Sequence, residues 1–190
     1  MPVPQSHGAK ASPQGAVRRA SPQYADGAAL AAAGGFTALS VAMVAYTETA
    51  GTDADTSVAT TWTTVDINTE QFDPDGIVSV ASSQFTLGAG TYIIEATHIF
   101  HDCNRARIRL YNDSGSVAIV GESINDFTDT TYEQNVPVSL TTVVTLAGVT
   151  NLELQRNVLY GGQVLGHDQN TDFTVDAEHY ATVMIWQVAA

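Results

Sequence analysis

The sequence predicts an all-β fold, an antiparallel jelly-roll sandwich of about ten strands preceded by an extended amino-terminal arm. Three observations predict it. From residue 36 onward, short runs rich in Val, Ile, Thr and aromatic residues alternate with turn sequences rich in Gly, Pro, Asn and Asp. No helical period of any length interrupts these runs. Charged residues make up only 14% of the chain, and the abundant Thr, Ser and Asn suit strands with a neutral polar surface.

Residues 1–35 differ from the rest of the chain and form the predicted arm. Residues 1–24 contain four of the six prolines and three of the seven basic residues, with almost nothing to bury, so we expect this stretch to be disordered or extended on its own. A short helix is predicted near residues 26–33, because Asp26 is placed to cap it and Gly34 and Gly35 to end it. We therefore divide the chain into the arm, residues 1–35, and a jelly-roll domain, residues 36–190.

Ten segments of the domain carry the residue pattern of strands. They are residues 38–47, 61–67, 77–81, 83–87, 91–100, 106–111, 117–122, 138–146, 151–156 and 177–188. Turn sequences separate several of them, namely Asp73-Pro74-Asp75-Gly76, Gly88-Ala89-Gly90, Asn112-Asp113-Ser114-Gly115 and Gly161-Gly162. Strands of this number and spacing predict two packed antiparallel sheets.

The last predicted strand, residues 177–188, is apolar on both faces. Alternate side chains of a strand point to opposite faces, so Ala181, Val183 and Ile185 share one face. The opposite face carries a second apolar set: Tyr180, Met184, Trp186 and Val188. A strand that is apolar on both faces is normally covered on both. One face is expected to pack inside the sandwich, and the second set is predicted to form a subunit interface.

Several motifs of the domain resemble those of a known family. The run Val65-Asp66-Ile67-Asn68-Thr69-Glu70 leads through a turn to Phe85-Thr86-Leu87, and Gly90-Thr91-Tyr92 opens a long strand. Together with the closing strand, this series resembles the tumour-necrosis-factor-like and complement-type globular jelly rolls, in the version found in tailed-phage virion proteins. The resemblance covers about residues 38–190. It implies a homotrimer about the face of the terminal strand, with the trimer interface at Tyr180, Met184, Trp186 and Val188.

The charge of the chain is strongly acidic, and it argues against several classes of partner. The chain has 20 acidic and 7 basic residues, a formal net charge of −13. Nucleic-acid binding relies on basic side chains that displace counterions from phosphates, and Lys10 is the single lysine. The same shortage argues against adhesion to an anionic membrane, and no run of about 18 apolar residues predicts a transmembrane helix. We therefore expect no nucleic acid and no membrane as a partner.

Three arginines, Arg105, Arg107 and Arg109, share one face of a predicted strand. The domain contains only one further arginine, so this clustering needs an explanation. Two interpretations stay open. The arginines neutralise carboxylates, such as Glu95 or Glu122 or those of a neighbouring subunit, or they contact an anion or a glycan.

Two motifs contain potential metal ligands, and neither is predicted to bind a metal. His98, His101 and Cys103 lie within six residues of one another. His98 and His101 point to opposite faces of a strand, so one metal ion cannot easily bind both. The turn at Asp73 and Asp75 begins like a calcium loop but lacks the later acidic ligand, and the sequence leaves open whether calcium occupies it. The lone cysteine excludes an internal disulfide.

The sequence also predicts that the chain has no enzyme activity. The Gly-x-Ser-x-Gly elbow of a serine nucleophile is absent. The paired acids lie in loops, where solvated carboxylates are the rule. We expect no catalytic residue, no metal and no cofactor.

Together with the resemblance, these observations predict a structural protein of a phage-like virion. The predicted role is a homotrimeric capsid decoration (cement) protein or short head fibre, located in the virion. Its arm is expected to attach it to the major capsid protein or another virion protein, through Lys10, Arg18, Arg19 and Tyr24. The alternative is a receptor-binding tail-fibre tip or lectin-like adhesin that binds a host surface glycan. A third hypothesis is a polysaccharide-cleaving enzyme.

Overall fold

Alternation of inward and outward side chains produces a two-layered sandwich in the computed structural model. The structure describes residues 39–52, 54, 58–101, 105–126, 135–159 and 176–189. The arm, its predicted helix and the attachment residues Lys10, Arg18, Arg19 and Tyr24 lie outside these residues. Within the described part of the chain, no helix has the length and apolar character needed to cross a membrane.

Eleven strands make up the described part of the domain. They are β1 Ser40–Glu48, β2 Thr63–Thr64, β3 Thr69–Phe72, β4 Val78–Ala81, β5 Gln84–Leu87, β6 Gly90–His101, β7 Arg105–Asn112, β8 Val117–Asp126, β9 Asn135–Leu146, β10 Thr150–Val158 and β11 Glu178–Ala189. Every predicted segment overlaps one of these strands, and β3 is the strand without a predicted counterpart.

The strands form two antiparallel sheets. The five-stranded sheet has the order β3-β1-β11-β6-β9. The six-stranded sheet has the order β4-β5-β10-β7-β8, with β2 paired to β10. Strands β1 and β11 are therefore neighbours although they are the first and last of the described domain. Neighbouring strands that are far apart in the sequence are typical of jelly rolls. The predicted antiparallel sandwich is confirmed.

The core fills the space between the sheets with alternate side chains of the long strands. Strand β6 contributes Tyr92, Ile94 and Phe100, and β11 contributes Val183 and Ile185, all of them fully buried or nearly so. The six-stranded sheet contributes a second buried set: Phe85, Leu87, Ile108, Leu110, Leu152 and Leu154. Complete burial of one such side chain stabilises a fold by about 1.5–3 kcal/mol. The apolar alternation visible in the sequence therefore corresponds to the inner faces of the sheets.

The predicted strand at residues 61–67 is shorter than expected, because the chain crosses there from one sheet to the other. Only Thr63–Thr64 pairs with β10. The Val65 N–H donates to Leu154 O in the six-stranded sheet (2.8 Å), and the Asn68 N–H donates to Ala45 O in the five-stranded sheet (3.0 Å). Val65 is fully buried, so the apolar alternation here marks a buried crossing rather than a continuous strand.

Strand β3, Thr69–Phe72, is an edge strand that pairs with β1. Its last three residues are exposed. A strand that buries so little of its side-chain surface has no apolar alternation, and the sequence pattern therefore did not predict it.

The structure corrects the position of Tyr180. The prediction placed it on the outward face with Met184 and Trp186, but Tyr180 is only 3% exposed. Tyr46 pairs with Ala181 and the next residue of β1 pairs with His179, so Tyr180 is the extra residue of a β-bulge. Its ring packs 5.4 Å from that of Tyr46, and its hydroxyl lies 2.5 Å from Thr52 O. Tyr180 is therefore held inside its own subunit.

Two polar side chains meet inside the sandwich, one from each sheet. His98 of β6 and Arg156 of β10 are 0% and 2% exposed, and Arg156 Nη1 lies 3.4 Å from His98 Nε2. Burial first, and then the nearby Arg156 charge, lower the pKa of His98 to about 3. Since the guanidinium can only donate, the neutral His98 ring accepts at Nε2 and carries its proton on Nδ1.

We expect His98 to make the fold less stable in acid. Its pKa is about 3 when folded and about 6.5 when unfolded, so between these pH values the unfolded chain binds one more proton. The free energy of unfolding should fall by up to about 1.4 kcal/mol per pH unit as the pH drops from about 6.5 toward 3. Above about 6.5 this loss is absent.

The variant His98→Gln keeps an acceptor for Arg156 but does not titrate. In urea denaturation from pH 7.5 to pH 4, it should lose this part of the pH dependence, while the carboxylates contribute equally to both proteins. Parallel pH profiles for the two proteins would contradict the buried neutral histidine.

Candidate binding surfaces

The outward side of the five-stranded sheet presents a continuous apolar surface. Val41, Trp186, Ile93 and Val143 are direct neighbours across β1, β11, β6 and β9, and form one row. A second row contains Phe72, Met43 and Met184. Val143 is 64% exposed and Phe72 is 53% exposed. The other five are half-buried. We call these seven residues the apolar face, and a contiguous apolar surface of this kind is a candidate interaction site.

The predicted interface residues divide between this face and the core. Met184 and Trp186 belong to the apolar face, and Val188 follows them on the same strand, half-buried. Tyr180 does not belong to the apolar face, because the β-bulge turns its side chain into the core. The sequence pattern missed the partners on the other strands, because alternation identifies the two faces of each strand but not which strands are neighbours.

The outward side of the six-stranded sheet is polar and carries the predicted arginine cluster. Arg107 Cζ lies 4.7 Å and Arg109 Cζ 4.2 Å from the centroid of a Trp62 ring. Arg109 Cζ also lies 5.0 Å from the Tyr111 ring centroid. Each such cation–π contact is worth about 0.5–2 kcal/mol. We call Arg105, Arg107, Arg109, Trp62 and Tyr111 the arginine face, and the Trp62 ring holds two of its guanidinium groups in place.

A hydrogen-bonded network runs from Arg109 across β10. Arg109 Nε donates to Gln155 Oε1 (2.8 Å), and Gln155 Nε2 donates to Glu153 Oε2 (2.7 Å). Glu153 also accepts from Gln84 Nε2 (2.9 Å) and Thr64 Oγ1 (2.8 Å). Glu153 is only 8% exposed, and these three donors compensate for the removal of its carboxylate from water. Arg109 is therefore part of the framework that fixes the arginine face.

Arg105 and Arg107 line a cleft beside this network. The cleft has a volume of about 290 Å³, and the described residues that line it are Thr60, Arg105, Ala106, Arg107, Asn157 and Leu159. Asn157 is 7% exposed, and its Nδ2 donor is buried without a hydrogen-bond acceptor among the described residues. The three clustered arginines thus separate into two roles, with Arg109 in the network and the other two at the cleft.

The structure excludes one proposed carboxylate partner of the arginine cluster. Glu95 lies exposed on β6 of the other sheet, so the sandwich separates it from β7 and it is not a partner of these arginines. The side chain of Glu122 lies outside the described residues. The described partner of Arg109 is the Gln155 amide rather than a carboxylate. Both interpretations, neutralisation by other carboxylates and contact with an anion or a glycan, stay predictions.

The motifs with potential metal ligands serve other purposes where the structure describes them. Asp73 Oδ1 accepts from the Ile77 N–H (3.0 Å) and Oδ2 from the Val78 N–H (2.8 Å), so this carboxylate closes the turn before β4. Gly76 completes the turn with a φ of 67°, which favours glycine. His98 faces the core, while the His101 side chain and Cys103 lie outside the described residues. No group of three or more candidate metal-ligating side chains occurs in the described part.

Comparison with known proteins identifies the fold but no family. No family model matches the chain, and no curated protein matches it. The crystal structure of murine APRIL at pH 8.0 superposes with a TM-score of 0.52 and 8% sequence identity, covering 80% of this chain and 100% of that chain. The globular domain of zebrafish complement 1qA protein gives a TM-score of 0.49 and 14% identity, covering 80% and 98%. The APRIL similarity confirms the predicted tumour-necrosis-factor-like jelly roll.

We expect the Glu153 network to stabilise the domain measurably. Glu153→Ala removes the acceptor of the Gln155 amide and of the Thr64 hydroxyl, and one of the two acceptors of Gln84 Nε2, which should cost about 1–3 kcal/mol in the free energy of unfolding. Glu70→Ala on the exposed edge strand β3 is the matched control, and it should change stability by at most about 0.5 kcal/mol. Urea denaturation of both variants measures this difference. Equal losses in the two variants would contradict the role of the network.

Proposed function

We propose that the chain is the subunit of a homotrimeric structural protein of a phage-like virion, a capsid decoration protein or short head fibre attached through residues 1–35. The observation that carries the proposal is the apolar face. Trp186, Ile93 and Val143 form one outward row on adjacent strands of the subunit. Without a partner subunit on this face, water would contact these apolar side chains.

The charge distribution supports self-association through this face. Two copies of a chain with a net charge of −13 repel each other, so they associate best through a surface without charges. The apolar face contains no charged residue, and Glu95 is its one charged neighbour in the row of Met43 and Met184. The trimeric state itself follows from the resemblance of the sequence to tumour-necrosis-factor-like domains.

Attachment to a particle is supported by the composition of residues 1–35. A stretch of 24 residues with little to bury becomes ordered most readily against a partner. Fully extended, it would span roughly 80 Å at about 3.3 Å per residue, enough to reach neighbouring subunits of a shell. Three arms in one trimer would add avidity, because each bound arm raises the effective concentration of the next. The proposed partner is the major capsid protein or another virion protein.

The arginine face favours a second candidate function, a receptor-binding fibre tip or lectin-like adhesin. A decoration protein requires no ligand-binding cleft, whereas a tip that recognises a host surface glycan does. The cleft at Arg105 and Arg107 is the specific observation in favour of this alternative. Binding to purified capsids supports the first function, and binding to host cells supports the second.

We expect the apolar face to control the oligomeric state. Val143 is 64% exposed in the subunit, so Val143→Asp should hardly change the stability of a monomer, but in an interface it would bury a charge at a cost of several kcal/mol. Sedimentation at micromolar concentration should show a trimer for the wild type and monomers for this variant. Val149→Asp, at a 78% exposed position outside the apolar face, should remain trimeric. A monomeric wild type would refute the proposed assembly.

Deletion of residues 1–35 should abolish binding to the particle and leave the domain folded. The described core contains no residue of the arm, so the truncated protein should remain a soluble trimer with a near-native melting temperature. Co-sedimentation with purified capsids measures the loss. Retained binding would move the attachment site to the jelly roll.

A further inference from the structure

We propose that Glu95 makes the self-association of the chain depend on pH, because its carboxylate takes up a proton when copies of the chain meet on the apolar face. The inference rests on the first proposed function, assembly through this face, and adds the regulation of that assembly. It is independent of residues 1–35 and of any ligand.

Glu95 lies at the centre of the outward side of the five-stranded sheet. It occupies the middle of β6, directly between Met184 of β11 and Thr141 of β9. Ile93, two residues earlier on β6, points to the same side. Directly opposed side chains of a sheet have Cβ atoms about 4.5–5.5 Å apart, and residues two apart on a strand are separated by about 7 Å. A second copy that covers Met184 and Ile93 therefore also meets the Glu95 carboxylate.

The Glu95 carboxylate has no partner within the described part of the subunit. Its side chain is exposed, and no described residue donates a hydrogen bond to it or forms an ion pair with it. The hydroxyls of Thr97 and Ser139, in the next row of the sheet, bond to each other at 2.8 Å. Water therefore solvates this carboxylate in the separate subunit, and a copy seated on the face would remove that water.

The strands on either side of β6 offer one group that can carry a positive charge. Strand β9 contains no ionisable side chain. The ionisable residues of β11 are Glu178, His179 and Tyr180, which all lie at its beginning, several residues before Met184. Tyr180 is turned into the core, while His179 is exposed opposite Thr47. His179 is therefore the histidine whose contribution has to be separated from that of Glu95.

The other described groups near this face are neutral or acidic. The remaining ionisable side chains of β6 are Tyr92 and His98, which face the core, and His101, whose side chain lies outside the described residues. The charged residues of β1 and β3 are Glu48 and Glu70. All four described arginines belong to the six-stranded sheet. Copies that meet on the apolar face thus bring carboxylates together without an arginine to pair with them.

An unpaired carboxylate that is removed from water is neutralised by a proton. The charged form is so costly in a desolvated site that the group binds a proton instead, and carboxylates brought close to one another also repel. The assembled state then binds more protons than the separate subunits, so a lower pH favours assembly. The trimerisation constant should rise by up to about tenfold per pH unit for each proton taken up. The effect ends at about pH 4.3, where a glutamate in water is itself protonated.

The test is a dilution series of the full chain, followed by sedimentation at pH 7.5 and pH 5.5 at constant ionic strength. We expect the wild-type trimer to persist to lower concentrations at pH 5.5, with a trimerisation constant at least about tenfold higher than at pH 7.5. Glu95→Gln removes the charge and keeps the shape of the side chain. It should assemble at pH 7.5 at least as tightly as the wild type does at pH 5.5, and its trimerisation constant should change little between the two pH values.

Two control variants separate Glu95 from other titrating groups. Asp113→Asn changes the net charge by the same amount as Glu95→Gln, in an exposed turn of the other sheet, and keeps an acceptor for Gln84 Nε2. His179→Gln removes the exposed histidine of β11. Both variants should keep the pH dependence of the wild type.

Several results would overturn the inference and leave assembly through the apolar face intact. They are a wild-type trimer whose stability does not depend on pH, or a Glu95→Gln variant with the pH dependence of the wild type. Loss of the pH dependence in His179→Gln would assign it to the histidine, and an equal gain in Asp113→Asn would assign it to the net charge. Dissociation of the trimer by EDTA at pH 7.5 would show a divalent cation rather than a proton at Glu95. A wild type that is monomeric at both pH values would contradict the assembly and the inference together.

Discussion

Strand β11 pairs along its length with β1 on one side and β6 on the other, and the rest of the sandwich is arranged around this pairing. The register places Ile185 next to Ile94 in the core and Trp186 next to Ile93 on the outside. A shift of one residue would exchange these two sets of side chains. The same hydrogen bonds therefore define both the core and the apolar face, and the bulge at Tyr180 turns one further aromatic side chain inward.

The two outward faces differ in chemistry, and this difference separates the proposed roles. The five-stranded sheet presents an apolar surface on which copies of an acidic chain can meet without repulsion. The six-stranded sheet presents Arg105 and Arg107 at a cleft, supported by Trp62 and by the Glu153 network. The proposed self-association through the five-stranded sheet would leave the arginine face outside the contact.

The buried polar groups of the sandwich differ in how they are satisfied. Glu153 accepts three hydrogen bonds, and His98 remains neutral beside Arg156 because burial lowers its pKa to about 3. Both belong to the stability of the fold. Asn157 Nδ2 and His98 Nδ1 both lack a hydrogen-bond partner among the described residues.

The sequence by itself determined the all-β class, the positions of most strands, the apolar character of Met184 and Trp186, and the shared face of the three arginines, because each depends on alternation within one strand. Only the tertiary structure decided what depends on the pairing of distant segments. It joined Val143, Ile93 and Val41 to Trp186, moved Tyr180 into the core through a bulge, and added the exposed edge strand β3. It also gave Arg109 a different surrounding from Arg107, because Gln155 and Asn157 of β10 lie opposite them in the sheet. Alternation along a strand is a local property of the backbone, whereas neighbours across a sheet are chosen by the packing of the whole domain.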